Sequence, residues 1–177
     1  MTPEAVVLLV IIVFMLHEFE EIVFIKPWLS RQRDNMRISS HPFSAMRNIS
    51  TSTIALLIAE EFIVFSCIAL AAVLSRWYSL FEGFLLVYSL HLVGHIFEPI
   101  RYKCNTPSFV TSVLTLPWCV FGLYYLGTHG LVTVLWVAIW FVVTAIMVIL
   151  NFRFIYGIAP LVEQYLRDYS KEEYAAF

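Results

Sequence analysis

The chain is laid out as long apolar runs separated by short polar breaks. Five runs reach the roughly 20 residues needed to cross a bilayer. They lie near 4–25, 48–74, 78–99, 109–127 and 131–152. The breaks read KPWLSRQRDNMRISSHPF, SRWYS, EPIRYKCNTPS and GTHG. The pattern predicts an all-α, polytopic membrane helix bundle with five transmembrane helices over residues 1–160. The second run is long enough to begin with an interfacial stretch. GTHG is a tight glycine-containing turn and predicts an antiparallel hairpin of the fourth and fifth spans. Pro117 falls inside the fourth span, where it should kink the helix. After residue 160 the pattern changes, and residues 161–177 read as a cytoplasmic amphipathic tail, either a short helix or a solvated end.

Positive charge orients the bundle. The first break and its flanks hold Lys26, Arg31, Arg33, Arg37 and Arg47. The third holds Arg101 and Lys103, and the C-terminal region Arg153, Arg167 and Lys171. Only Arg76 lies on the other side. The positive-inside rule then sets the N-terminus outside and the C-terminus in the cytoplasm of a multi-pass inner (plasma) membrane protein. Trp28, Trp77 and Trp118 lie near span ends, where interfacial aromatics belong. Composition agrees: 14% of residues are charged, against about a quarter in soluble domains. Cys67, Cys104 and Cys119 show no CxxC spacing and read as packing residues. No basic segment precedes the first run and no small-residue cleavage site follows it, so no cleavable signal peptide is expected.

The exceptions to the apolar pattern carry the chemistry. Glu18, Glu20, Glu21, Glu60, Glu61 and Glu98 lie inside spans, and no Lys or Arg lies well inside any of them. A charge near the bilayer centre costs on the order of ~3 kcal/mol on insertion scales. Protons, a water-filled cavity or metal cations must offset these acids. His17, His91 and His95 lie at membrane depth beside them. On one helix, His91, His95 and Glu98 fall within about 60° of each other, and His17, Glu20 and Glu21 within about 100°. Glu18 falls just beyond that arc. At ~1.5 Å per residue, His17 is roughly 13 Å from Lys26, His91 roughly 15 Å from Arg101, and Glu60 roughly 20 Å from Arg47. The three groups can therefore meet at one level.

Imidazole and carboxylate on facing helices are how bundles hold metals, commonly two ions on about four Glu and two His. The expected ligands are His17, Glu21, Glu61, His91, His95 and Glu98. Glu60 stands as an alternative to Glu61, and Glu20 to Glu21. Glu18 and Glu20 are expected to be catalytic, as general bases. The donors suit a divalent metal, two ions being expected, with iron first and zinc or manganese as alternatives. His41 and His129 fall in breaks and read as solvated. Glu82 reads as structural, and Asn48 and Asn151 as interfacial.

HEFEE followed by KPWLSR, then AEE, HLVGH and RYKCNTPSFVTSVLTLPW, resembles the HXXEE domain family of small bacterial integral membrane proteins. The resemblance runs from about residue 15 to about 120. That family's Tyr-x-Pro-Gly element corresponds to the stretch from Tyr102 to Pro107, here with extra residues between, and Ser108 stands where glycine is expected. The resemblance implies a membrane metalloprotein without an assigned reaction and supports His17, Glu20 and Glu21 as functional positions.

A metal near the midplane is open to an acyl chain, isoprenoid or quinone entering from the lipid. The expected function is a membrane metalloenzyme acting on a lipid-soluble substrate, oxidation being favoured over zinc-dependent hydrolysis. The alternative is a proton or metal transporter or sensor. Five spans without a detectable inverted repeat do not follow a common transporter plan. The expected partners are membrane lipids, anionic ones beside the basic breaks, and a hydrophobic small-molecule substrate. No nucleotide fingerprint or nucleic-acid patch is present.

Overall fold

A computed structural model describes residues 1–35 and 46–175, and their regular structure is entirely helical. The helices are α1 (Pro3–Arg31), α2 (Thr51–Ser75), α3 (Tyr78–Tyr102), α4 (Phe109–Thr128) and α5 (Val134–Ala175). His41 and the expected turn at Pro42 lie outside the described residues. Local chemistry explains where the helices begin. Thr2 accepts from Ala5 N–H and Pro3 occupies the first position of α1, both favourable starts. Ser50 caps α2 by accepting from Thr53 N–H. At the other end of α2, Arg76 takes a left-handed conformation, φ 54°.

α2, α3, α4 and α5 are long and apolar enough to cross a membrane. α1 is 29 residues long, but Glu18, Glu20 and Glu21 interrupt its apolar run. It nonetheless presents Leu8, Ile12, Leu16, Phe19 and Val23 as an exposed apolar stripe. The spacing of three or four residues keeps these side chains on one face. His17, Glu18 and Glu21 are buried on the opposite side.

α1 packs between α2 and α4, and α3 packs on α2, α4 and α5. α4 and α5 are consecutive but do not pack side by side as the short turn predicts; each packs on α3 instead. Glycines let α3 and each of them approach closely. Gly83 brings that helix so close to α5 that a Cβ there would sit 2.7 Å from Trp140. Gly122 likewise brings α4 against Leu85 of α3. The tail also differs from expectation, since α5 continues through Pro160 without a break. Ile155 and Ala159 are buried with Ile54, Leu57 and Ile58 of α2. Just beyond, Glu163 accepts from Ser50 N–H and the Thr53 hydroxyl at the start of α2. These anchors on either side of the proline offset the helix bond it removes.

The upper half of the bundle, which holds the start of α1, has an aromatic core. Phe65 stacks on Phe84 at 4.6 Å and meets Phe14 edge-on at 4.8 Å. The lower end, near Arg31, is closed by Ile25, Leu29, Ile54 and Tyr102. Between these clusters the interior is polar and incompletely filled.

Candidate metal centre

Residues four apart on a helix share a face, and both helices facing the polar zone use this spacing. α1 presents His17 and Glu21; α3 presents His91 and His95. One ligand atom from each of the four lies within 4.8 Å of the other three. His95 Nε2 is 3.0 Å from His91 Nε2 and 3.3 Å from Glu21 Oε1. His17 Nε2 is 4.0 Å from the same Glu21 oxygen. Two donors on one tetrahedral ion with bonds of about 2.0–2.1 Å stand about 3.3 Å apart. The spacings of 3.0, 3.3 and 4.0 Å are those of groups gathered around a common centre.

A row of hydroxyls on α4 orients these groups. Ser108, Thr111, Ser112 and Thr115 recur at three- and four-residue spacing, and Ser108, Ser112 and Thr115 are buried. The Thr111 hydroxyl donates to Glu20 Oε2, which also accepts from Thr111 N–H at 2.8 Å. Its proton is thereby committed. Its oxygen, 3.0 Å from His17 Nδ1, can only accept, so Nδ1 carries the hydrogen and neutral imidazole keeps the Nε2 lone pair free. That Nε2 is fully buried and has no hydrogen-bond partner among the described residues. An orphaned buried acceptor aimed at three other donors fits a metal ligand, and the Glu20–Thr111–His17 chain is the usual kind of support behind one.

Ser108 adds a second support, donating to Glu21 Oε1 at 2.7 Å. Its φ is 73°, in the left-handed region that glycine enters without strain. Here serine accepts the strain and gives Glu21 a hydrogen bond. The sequence reading missed Ser108, Thr111 and Ser112. Their periodic spacing in an otherwise apolar helix was the available signal.

The other expected residues are placed in different surroundings. Glu98 stands behind His95, its Oε2 being 3.2 Å from Nδ1, and orients that ring rather than joining the four atoms. Glu18 and Glu61 line the same cavity of about 450 Å³ as Glu21, His91, His95 and Glu98. Glu20 does not line it and instead faces the first turn of α4. Glu60 accepts from Asn151 at 3.0 Å, so Asn151 joins α5 to α2 rather than serving the interface. His129 stays exposed and meets the Tyr125 carbonyl. Glu82 contributes a buried oxygen without a hydrogen-bond partner among the described residues.

Among the described residues, no Lys or Arg forms an ion pair with Glu18, Glu20, Glu21, Glu60, Glu61 or Glu98. Lys26 is committed elsewhere, donating to the Met46 and Arg47 carbonyls. Arg47 binds the Gln32 and Arg33 carbonyls. Lys26 and Arg47 thus tie the end of α1 to the segment before α2 and do not pair with these acids.

A family model described as "Protein of unknown function with HXXEE motif" matches residues 8–122. The motif falls on His17, Glu20 and Glu21, the three α1 residues that the α4 hydroxyls hold. No curated protein and no solved structure matches the chain.

Proposed function

The chain belongs to the HXXEE family, and from that premise we propose that it is a multi-pass inner-membrane metalloenzyme that oxidises a lipid-soluble substrate. The observation that carries this reading is His17 Nε2, buried, unpartnered and converging with Glu21, His91 and His95. α1 is read as a fifth crossing helix, because its exposed stripe suits lipid while its acids face protein. The first ion is assigned to His17, Glu21, His91 and His95. Glu18 and Glu61, which line the same cavity, are the carboxylates available to a second. Iron there would supply redox chemistry towards dioxygen, and zinc the Lewis acidity of a hydrolase.

The residues themselves have distinct tasks. Thr111 and Glu20 hold the His17 tautomer, Glu98 sets the His95 ring, and Ser108 fixes one Glu21 oxygen. Glu18 opens on the cavity and is placed to take or return a substrate proton. Of the two expected general bases, Glu18 is the one assigned here, and Glu20, bonded to Thr111, is read as orienting. A hydrolytic second reading is favoured by the tight group itself, which sets three imidazoles against one carboxylate, a donor set that suits zinc.

Elemental analysis of protein isolated without chelator tests the proposal. About two iron atoms per chain, the count of carboxylate-bridged bundles, are expected. One zinc per chain would move the assignment to hydrolysis. A folded chain that retains no transition metal after supply and desalting would overturn both readings.

A further inference from the structure

A second cavity, of about 230 Å³, adjoins the first. The two share Glu18, Glu61, His91 and Phe152, one residue from each of α1, α2, α3 and α5. On every one of these helices the remaining lining residues of the second cavity lie towards the upper half. On α1 that residue is Phe14, against Glu21 for the first cavity; on α3 they begin at Phe84, against Glu98. On α2, which runs the other way, it is Val64 against Leu57. The cavities are therefore stacked end to end along the bundle, with the shared ring of four between them.

Their walls differ. Away from the ring, the upper cavity is lined by Phe14, Val64, Phe84, Val87, Met147 and Val148, with Tyr88 and Asn151 nearer the ring. The Asn151 amide N–H is committed to Glu60, and the Tyr88 ring stacks with His91. Close-packed interiors hold few voids larger than a water molecule, so a space of this size is more than a packing defect. Apolar cavities stay dry and take hydrocarbon. At ~30 Å³ for each small group, the space holds roughly seven or eight methylenes. Met147, 38% exposed, stands at the edge facing the surroundings of the bundle.

We propose that the substrate is an aliphatic lipid whose hydrocarbon chain fills the upper cavity, so that the carbon or functional group to be transformed lies at the ring of Glu18, Glu61 and His91. The polar end of the molecule then occupies the larger, carboxylate-lined cavity below. This assignment rests on the metalloenzyme reading for its chemistry but not for its binding, and the two can fail separately.

The test uses the full chain in lipid nanodiscs, with dodecanol carrying a terminal trifluoromethyl group as the probe, followed by fluorine NMR. A protein-bound resonance distinct from the bilayer pool is expected. Val87→Phe and Val64→Phe, on different helices, fill the cavity from two sides. Each should weaken the bound signal at least tenfold while metal content stays at the wild-type value. No bound resonance in a metal-loaded wild type, or undiminished binding in both folded variants, would overturn the assignment. Bound probe lost in the variants, in protein that never takes up metal, supports the chain cavity and defeats the metalloenzyme reading alone.

Discussion

The two halves of the bundle solve opposite problems. In the upper half Phe14, Phe65, Phe81 and Phe84 are buried against each other, and Phe65 makes close ring contacts with two of them. In the middle and lower half the same helices carry His17, Glu21, Glu61, His91 and His95 around a cavity of about 450 Å³. One half is apolar, packed by aromatic rings around a chain-sized space; the other gathers polar groups around its cavity and leaves His17 Nε2 without a hydrogen-bond partner among the described residues. The contrast assigns rigidity to the first and chemistry to the second. A site with unmet ligand atoms is stable only where neighbouring packing holds its helices in place. The α4 hydroxyl row links the two functions, since it packs in the core and holds α1 by its polar groups.

This division can be broken from either side. The largest effect is expected at His17→Ala, which should abolish stoichiometric metal retention, read by elemental analysis, while thermal stability of the metal-free protein in detergent falls less than in a variant of the aromatic core. Phe65→Ala should do the reverse. It leaves a cavity in the aromatic core, worth about 3 kcal/mol of stability by analogy with large-to-small core changes, and the remaining folded protein should still bind metal at wild-type stoichiometry. Unfolding monitored beside metal content separates the two. If each variant lost both properties equally, the halves would be one unit.

A smaller effect is expected from Thr111→Val. The substitution keeps the shape but removes the acceptor for His17 Nδ1 and the donor to Glu20. Metal affinity should fall about 10–100-fold, as is usual when a supporting partner of a ligand is lost, and competition with a chromogenic chelator would measure it. An unchanged affinity would remove the orienting role from α4.

The smallest effect is a pH dependence at the tail, beyond the apolar stretch of α5. The Thr53 hydroxyl and Ser50 N–H, bonded to Glu163 at the start of α2, hold its carboxyl down to about 2 from an ordinary 4.5. A group with a lowered folded value contributes stability that is complete above 4.5 and is lost as pH falls towards 2. Proteolysis of the tail should therefore accelerate across that acid range in the wild type. Glu163→Gln should show faster cleavage at neutral pH and little further change on acidification.

Much of this arrangement was legible in the chain. Acids and histidines inside apolar runs stand out because nothing about lipid calls for them, and helical spacing puts His17 with Glu21 and His91 with His95. What stayed hidden depends on contacts between helices. Ser108 and Thr111 carry only a periodic spacing as a signal, because a hydroxyl has no charge to set it apart in an apolar run. Only the approach of α4 to α1 shows which acids they hold. The packing of α4 and α5 on α3 is hidden for the same reason: the close approach of α3 to α5 at Gly83 exists only once Trp140 lies against it. The placement of Glu20 likewise could not be read from an angle on a helix wheel, since Glu20 and Glu21 both lie near the right face; only the packed helices show Glu20 against Thr111 and Glu21 among the four converging groups.

The most direct test is X-ray absorption at the metal edge of the purified, metal-loaded protein. Ligation by His17, Glu21, His91 and His95 predicts a nitrogen and oxygen first shell, outer-shell scattering from three imidazoles, and no sulfur. A sulfur shell, or a spectrum unchanged when His91 and His95 are both replaced by alanine, would contradict it.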